Sequence, residues 1–141
     1  MEDARIYSPV SAVSSGLDID VAIFSASQQL ALFDLLILAM YADGHLTTFE
    51  DAQLQALLVA MGHAEEPARQ REFDAAVTRV RPAVDSIHKA KELALMLAAT
   101  FTTRAQQKQV LAAVEQMMTS DNHVSTWENT LLMELRMGFR L

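Results

Sequence analysis

Apolar residues recur at helical spacing along almost the whole chain. Leu30, Phe33, Ile37 and Tyr41 form one stripe, and Leu32, Leu36 and Met40 form a second on the same segment. A helix apolar nearly all round is packed on several sides. Ser25 or Ser27 can cap its start, and Asp43-Gly44 ends it, since Gly takes the left-handed conformation of a helix terminus. A second helix begins at Thr47, where Thr47-x-x-Glu50 forms a capping box. Its inner face is Leu54, Leu57, Leu58 and Met61, and Gly62 stops it. Glu65-Glu66-Pro67 opens a third, with Phe73, Val77 and Val80 inward and Pro82 ending or kinking it. A fourth is expected over 85–102, with Leu93, Leu97 and Phe101 inward. Thr103 caps a fifth over 104–120, which turns Val110, Leu111, Val114, Met117 and Met118 to the core. Ser125-x-x-Glu128 is a second capping box, and the last helix runs to 139 on Leu131, Leu132, Leu135 and Phe139. No stretch alternates with period two. The pattern predicts an all-α chain: a compact bundle of six or seven helices.

The first 24 residues break the pattern. Residues 1–17 are Ser-rich and carry Pro9 and Gly16, so they read as an arm. Residues 18–24 read as a short helical turn or an extended lead-in. The helical domain then covers 25–141.

Within that domain two segments nearly superimpose. Tyr41-Ala-Asp-Gly-His-Leu-Thr-Thr-Phe-Glu50 aligns with Thr119-Ser-Asp-Asn-His-Val-Ser-Thr-Trp-Glu128 at an offset of 78 residues. Acid, Gly or Asn, His, aliphatic, two hydroxyls, aromatic and Glu follow in the same order. The reading is a duplication. It predicts a bundle of two related halves, with helix–loop–helix units near 28–62 and 104–140.

Composition narrows the function classes. The net charge of −7 and the pI near 4.9 leave no basic footprint for nucleic acid. An anionic membrane would repel such a chain as a whole. With no cysteine, thiolate metal sites and Cys nucleophiles are excluded. The apolar runs at 35–42 and 93–101 fall short of the about 20 residues a membrane span needs. The acidic start, Met1-Glu2-Asp3, is unlike a secretory signal. A cytoplasmic chain that does not span a membrane is the expectation.

Candidate chemistry concentrates in the repeated loops. Asp43, His45 and Glu50, with Asp121, His123 and Glu128, are oxygen and imidazole donors suited to a divalent ion. The first copy fits the second half of a calcium loop, but Ala39 and Tyr41 stand where leading oxygen ligands are needed. The competing reading is structural: Glu50 and Glu128 complete capping boxes, and Asp43 and Asp121 brace tight turns. That structural reading leads, with no cofactor expected and a divalent metal as the alternative. Phe49 and Trp127 read as packing beside the caps, or as anchors for a partner. Asp34 sits inside an apolar helix, a boundary residue expected near Lys89 or Lys91. Met117, Met118, Met133 and Met137 are read as core, with a promiscuous binding groove as the alternative. There is no phosphate loop, nucleophile elbow or His-Glu-x-x-His, so an enzyme is not expected.

The segment Leu36-Ile-Leu-Ala-Met-Tyr-Ala-Asp-Gly-His-Leu-Thr-Thr-Phe-Glu50 resembles the signature of the TerB-like (tellurite-resistance) family. The pattern is an apolar helix ending in Ala-Asp-Gly, an aliphatic residue two further on, then a Glu opening the next helix. The resemblance covers roughly 28–140, with Ser120-Asp121-Asn122 replacing Ala-Asp-Gly in the second copy. It implies an acidic all-helical domain linked to tellurite or other stress responses, sometimes binding divalent metal or meeting membrane-bound partners. The expectation is a non-enzymatic interaction module for a protein partner that is itself membrane-associated in some relatives. The alternative is a metal-responsive domain. Ala- and Met-rich faces would also suit a homodimer.

Overall fold

The computed structural model describes residues 19–43, 48–118 and 126–140; of Asp43 and 48–50 it describes the backbone alone. Among these residues there are six α-helices and no strand: α1 (Ala26–Asp43), α2 (Thr48–Ala60), α3 (Glu66–Val80), α4 (Ile87–Ala98), α5 (Arg104–Met118) and α6 (Thr126–Phe139). A 3-10 turn (Val21–Ile23) leads in, and a second 3-10 segment (Arg81–Asp85) joins α3 to α4. Pro82 explains that segment, because a proline ring cannot continue the α-helical ladder. The lead-in takes the turn form, with Asp20 Oδ1 accepting from Ala22 N.

α1 is the axis of the bundle. Every residue from Ala31 to Met40 is buried, and α1 packs against all five other helices and the 81–85 segment. Its apolar circumference is the sequence cause: each side finds a neighbour. Leu32, Leu36, Ile37 and Leu38 meet Leu54 and Leu58 of α2, Val110 and Met117 of α5, and Leu135 of α6 in one core. Gly62 adopts φ +104° and closes α2, its N–H donating to Val59 O while His63 N donates to Leu58 O.

α4 departs from the pattern. Its buried residues are Ala90, Ala94 and Ala98, while Leu93 and Leu97 are only partly buried. The i, i+4 alanines give a flat stripe that lets α4 lie close on α6 and α1. The large residues are then left at its edges. Phe101 is buried beyond the helix end, with edge-on contacts to Phe24 and Phe139 at centroid distances of 5.7 and 6.4 Å.

Two helix pairs keep one register. α1 and α5 start 78 residues apart (104 − 26), and so do α2 and α6 (126 − 48). The likeness extends to hydrogen bonds upstream of the loops. Ser25 N donates to Gln28 Oε1 while Gln28 N donates to Ser25 Oγ. Thr103 N donates to Gln106 Oε1 while Gln106 N donates to Thr103 Oγ1. Both are capping boxes, also 78 residues apart. The two glutamine amides then bond each other reciprocally, at 3.2 and 3.0 Å, between the starts of α1 and α5.

Candidate functional site

Three places follow from this packing. The first is where the flanks of the repeated segments meet. Tyr41 and Ala42 at the end of α1, Trp127 in the first turn of α6 and Val84 of the 81–85 segment line one cleft of about 320 Å³. Trp127 is partly buried against the core, while Ser125, expected as its cap, lies outside the described residues. Glu128 is fully buried in the first turn of α6, where a carboxylate suits the positive helix end. His45, Asp121 and His123 lie outside the described residues, as do the side chains of Asp43, Phe49 and Glu50. Among the described residues no three His, Asp or Glu side chains are placed to hold an ion.

The second place surrounds Asp34. The carboxylate is buried within α1, and its partner is Arg79 of α3, not Lys89 or Lys91. Arg79 Nε and Nη2 donate to Oδ2 and Oδ1 at 2.9 and 2.8 Å. The correction is geometric. Lys89 reaches Asp85 and Lys91 reaches Glu134, whereas α3 lies directly over the Asp34 side of α1. The planar guanidinium suits such a two-bond clasp. These hydrogen bonds hold the Arg79 pKa above its ordinary value, with burial opposing and the charges of Asp34 and Glu72 assisting. The Asp34 side chain is 9% exposed and that of Arg79 42%, so the pair runs from core to surface. Its outer end opens into a groove of about 500 Å³ lined by Arg79, Pro82, Ala83, Lys89, Glu92, Leu93 and Met96.

The third place is a set of exposed apolar side chains on α4 and α6. Met117 and Met118 are core, as read from the sequence. Met133 and Met137 are not: they are 62% and 68% exposed, and Met96 on α4 is 64% exposed. Leu95 beside it is also open. α6 turns Leu131, Leu135 and Phe139 inward, so residues two positions on from Leu131 and Leu135 face outward. α4 and α6 are held side by side, with Lys91 Nζ 3.4 Å from Glu134 Oε1. One helix turn further on, a Cβ at Gly138 would lie 3.4 Å from a Leu95 methyl. Thus one helix pair carries four exposed large apolar side chains, three of them methionines.

No family model, curated protein or solved structure matches this chain. The residues that carry the surface argument were only partly legible beforehand. Arg79 gave no signal in sequence, because its role depends on α3 crossing α1. The exposed position of Met133 and Met137 was open to detection: they fall off the stripe set by Leu131, Leu135 and Phe139.

Among the described residues, no helix is long and apolar enough to cross a membrane.

Proposed function

We propose that this chain is a non-catalytic, TerB-like interaction module, built from two duplicated helix pairs and serving a tellurite or related stress response. The exposed methionines Met133 and Met137 of α6 and Met96 of α4 carry the proposal. Flexible, polarizable Met side chains adapt to varied apolar surfaces, and exposed apolar patches mark partner sites more often than chance. The common register of the helix pairs and the paired Gln28 and Gln106 caps support the duplication. The signature at 36–50 supports the family reading and, through it, the stress link.

The test is site-directed photo-crosslinking in cells, with benzoylphenylalanine at Met133 or Met137 and a control at exposed Glu66 of α3. A discrete heterologous adduct from the α6 positions and not from position 66 is expected. Equal labelling from all three positions would overturn the module reading. Tellurite sensitivity of a null strain, restored by the wild type and not by Met133→Glu/Met137→Glu, tests the stress link separately.

A second reading is favoured by one observation: both repeated segments line the same cleft, through Tyr41 and Ala42 of the first and Trp127 of the second. Asp43, His45, Glu50, Asp121, His123 and Glu128 would then supply oxygen and imidazole ligands for a divalent ion. Titrating chelator-stripped protein with Mn²⁺, Zn²⁺, Ca²⁺ and Mg²⁺ decides it by calorimetry and Trp127 emission. Saturable binding lost in Asp43→Asn/Asp121→Asn supports the ion site. No heat and no emission change would leave the acids as helix caps.

A further inference from the structure

The sequence has eight methionines and no cysteine, so its sulfur redox chemistry rests on thioethers alone. The fold divides those that are described. Met117 and Met118 are core, at 0% and 1% exposed, Met40 is buried with them, and Met61 packs partly against the same core. Met96, Met133 and Met137 stand in water. Helix geometry explains the division. α6 buries Glu128, Leu131, Leu135 and Phe139, and Met133 and Met137, four residues apart, lie together on its other side. α4 buries Ala90, Ala94 and Ala98, and Met96, midway between the last two, falls off that stripe. The two helices pack side by side and are tied by Lys91 and Glu134. The exposed thioethers therefore sit on neighbouring helices, away from the contacts that hold those helices to the core.

A thioether sulfur is a two-electron reductant. Its lone pair attacks a peroxide oxygen and the O–O bond breaks. The leaving hydroxide takes the proton of the transferred hydroxyl and departs as water, and a sulfoxide remains. At an exposed position the new S=O dipole is met by water and no packing is lost. At Met117 or Met118 it would be a polar group buried without a partner, and the oxidant reaches those sulfurs only when the core opens. We infer that Met96, Met133 and Met137 are a reversible oxidation site. A peroxide converts them to sulfoxides before the core methionines react, and the outer surface of α4 and α6 turns from apolar to polar with the fold intact. A methionine sulfoxide reductase restores the thioether: its dithiol becomes a disulfide and the oxygen leaves as water. Resting on the interaction-module reading, the same change releases an apolar partner held there, so that oxidant gates the binding.

The test treats full-length protein with hydrogen peroxide under native conditions and follows each methionine by peptide mass spectrometry. Met96, Met133 and Met137 are expected to gain oxygen faster than Met117 and Met118 by about tenfold or more. In denaturing urea the rates are expected to converge. Once the three have reacted, circular dichroism stays that of the untreated protein and retention on a hydrophobic-interaction column falls. Sulfoxide reductase with dithiothreitol brings the retention back. Met96→Leu/Met133→Leu/Met137→Leu keeps the fold and the apolar surface, and its retention is expected not to respond to peroxide. Oxidation of Met117 or Met118 at the same rate, or unfolding that accompanies the first three oxygens, overturns the inference. So does an equal fall in retention in the leucine variant, or a rate difference that persists in urea. The partner step is read separately, with benzoylphenylalanine at Leu95. Peroxide is expected to remove most of the adduct in the wild type and none in the leucine variant. Adducts that survive oxidation overturn the gating while leaving the module reading standing. Selective oxidation with no adduct before or after it removes the module reading and the gating, and supports the oxidation site alone.

Discussion

α1 and α5 start 78 residues apart and share a sequence register, yet only α1 is buried all round. At the 78-residue offset, Ile37 and Leu38 of α1 correspond to Glu115 and Gln116 of α5, and buried Asp34 corresponds to exposed Ala112. The cause is the placing of α3 and α4: α3 lies on α1, α4 lies between α6 and α1, and α5 is left with α1 and α6 as its main neighbours. α2 and α6 differ likewise. Leu54 is fully buried, whereas its counterpart Leu132 is only partly so. Equivalent sequence position therefore does not set burial; the neighbours do. The helix covered on every side becomes the core, and the outer helices keep free surface.

The comparison can be broken most strongly at its apolar positions. Leu54→Ala is expected to cost about 2–5 kcal/mol, and Leu132→Ala less than half of that. Urea unfolding followed by Trp127 emission measures both. Equal losses would mean the two pairs are packed alike. Arg79→Met should cost about 3 kcal/mol, because it leaves Asp34 buried without its counter-ion. The double change Asp34→Leu/Arg79→Met should recover most of that loss. By contrast, Ala112→Asp should cost less than about 1 kcal/mol, a matter of helix propensity alone.

A finer contrast lies at Gln53. Both amide atoms are buried without a hydrogen-bond partner among the described residues, while the corresponding Leu131 is buried and apolar. Gln53→Leu should therefore stabilise by about 1–2 kcal/mol, the desolvation cost of an unmade bond. A loss of stability instead would show that the amide is satisfied in solution. A small effect is also expected at the capping pair. Gln106→Leu removes a side chain that accepts from Thr102 N, Thr103 N and Gln28 and should cost about 1 kcal/mol. Gln28→Leu should match it if the two boxes are equivalent, and thermal unfolding resolves the pair.

Much of the fold is written in local pattern. The starts of α1, α4 and α5 after Ser25, Ser86 and Thr103, the 3-10 break at Pro82 and the stop at Gly62 follow from capping chemistry and backbone sterics, which act within a few residues. The buried status of α1 was legible too, because a helix apolar on all sides has only one stable environment. The capping boxes at Ser25 and Thr103 carry the Ser/Thr-x-x-Gln signature and the same offset as the loops, so that signal was present. The inward face of α4 was not: a leucine stripe and an alanine stripe compete on one helix, and only the closeness of α6 and α1 selects the alanines.

The candidate surface divides along the same line. Sequence by itself determined an all-helical chain, its register of 78 residues, and a set of acids, histidines and methionines. Tertiary structure decided which of these have neighbours. It buried Met117 and Met118 and left Met133 and Met137 in water. It paired Asp34 with Arg79 across 45 residues of chain, and so tied a buried acid to the edge of a surface groove. The physical reason is range. Caps and turns are short-range and recur wherever their residues do, whereas burial and ion pairing belong to whichever segment the packing brings alongside.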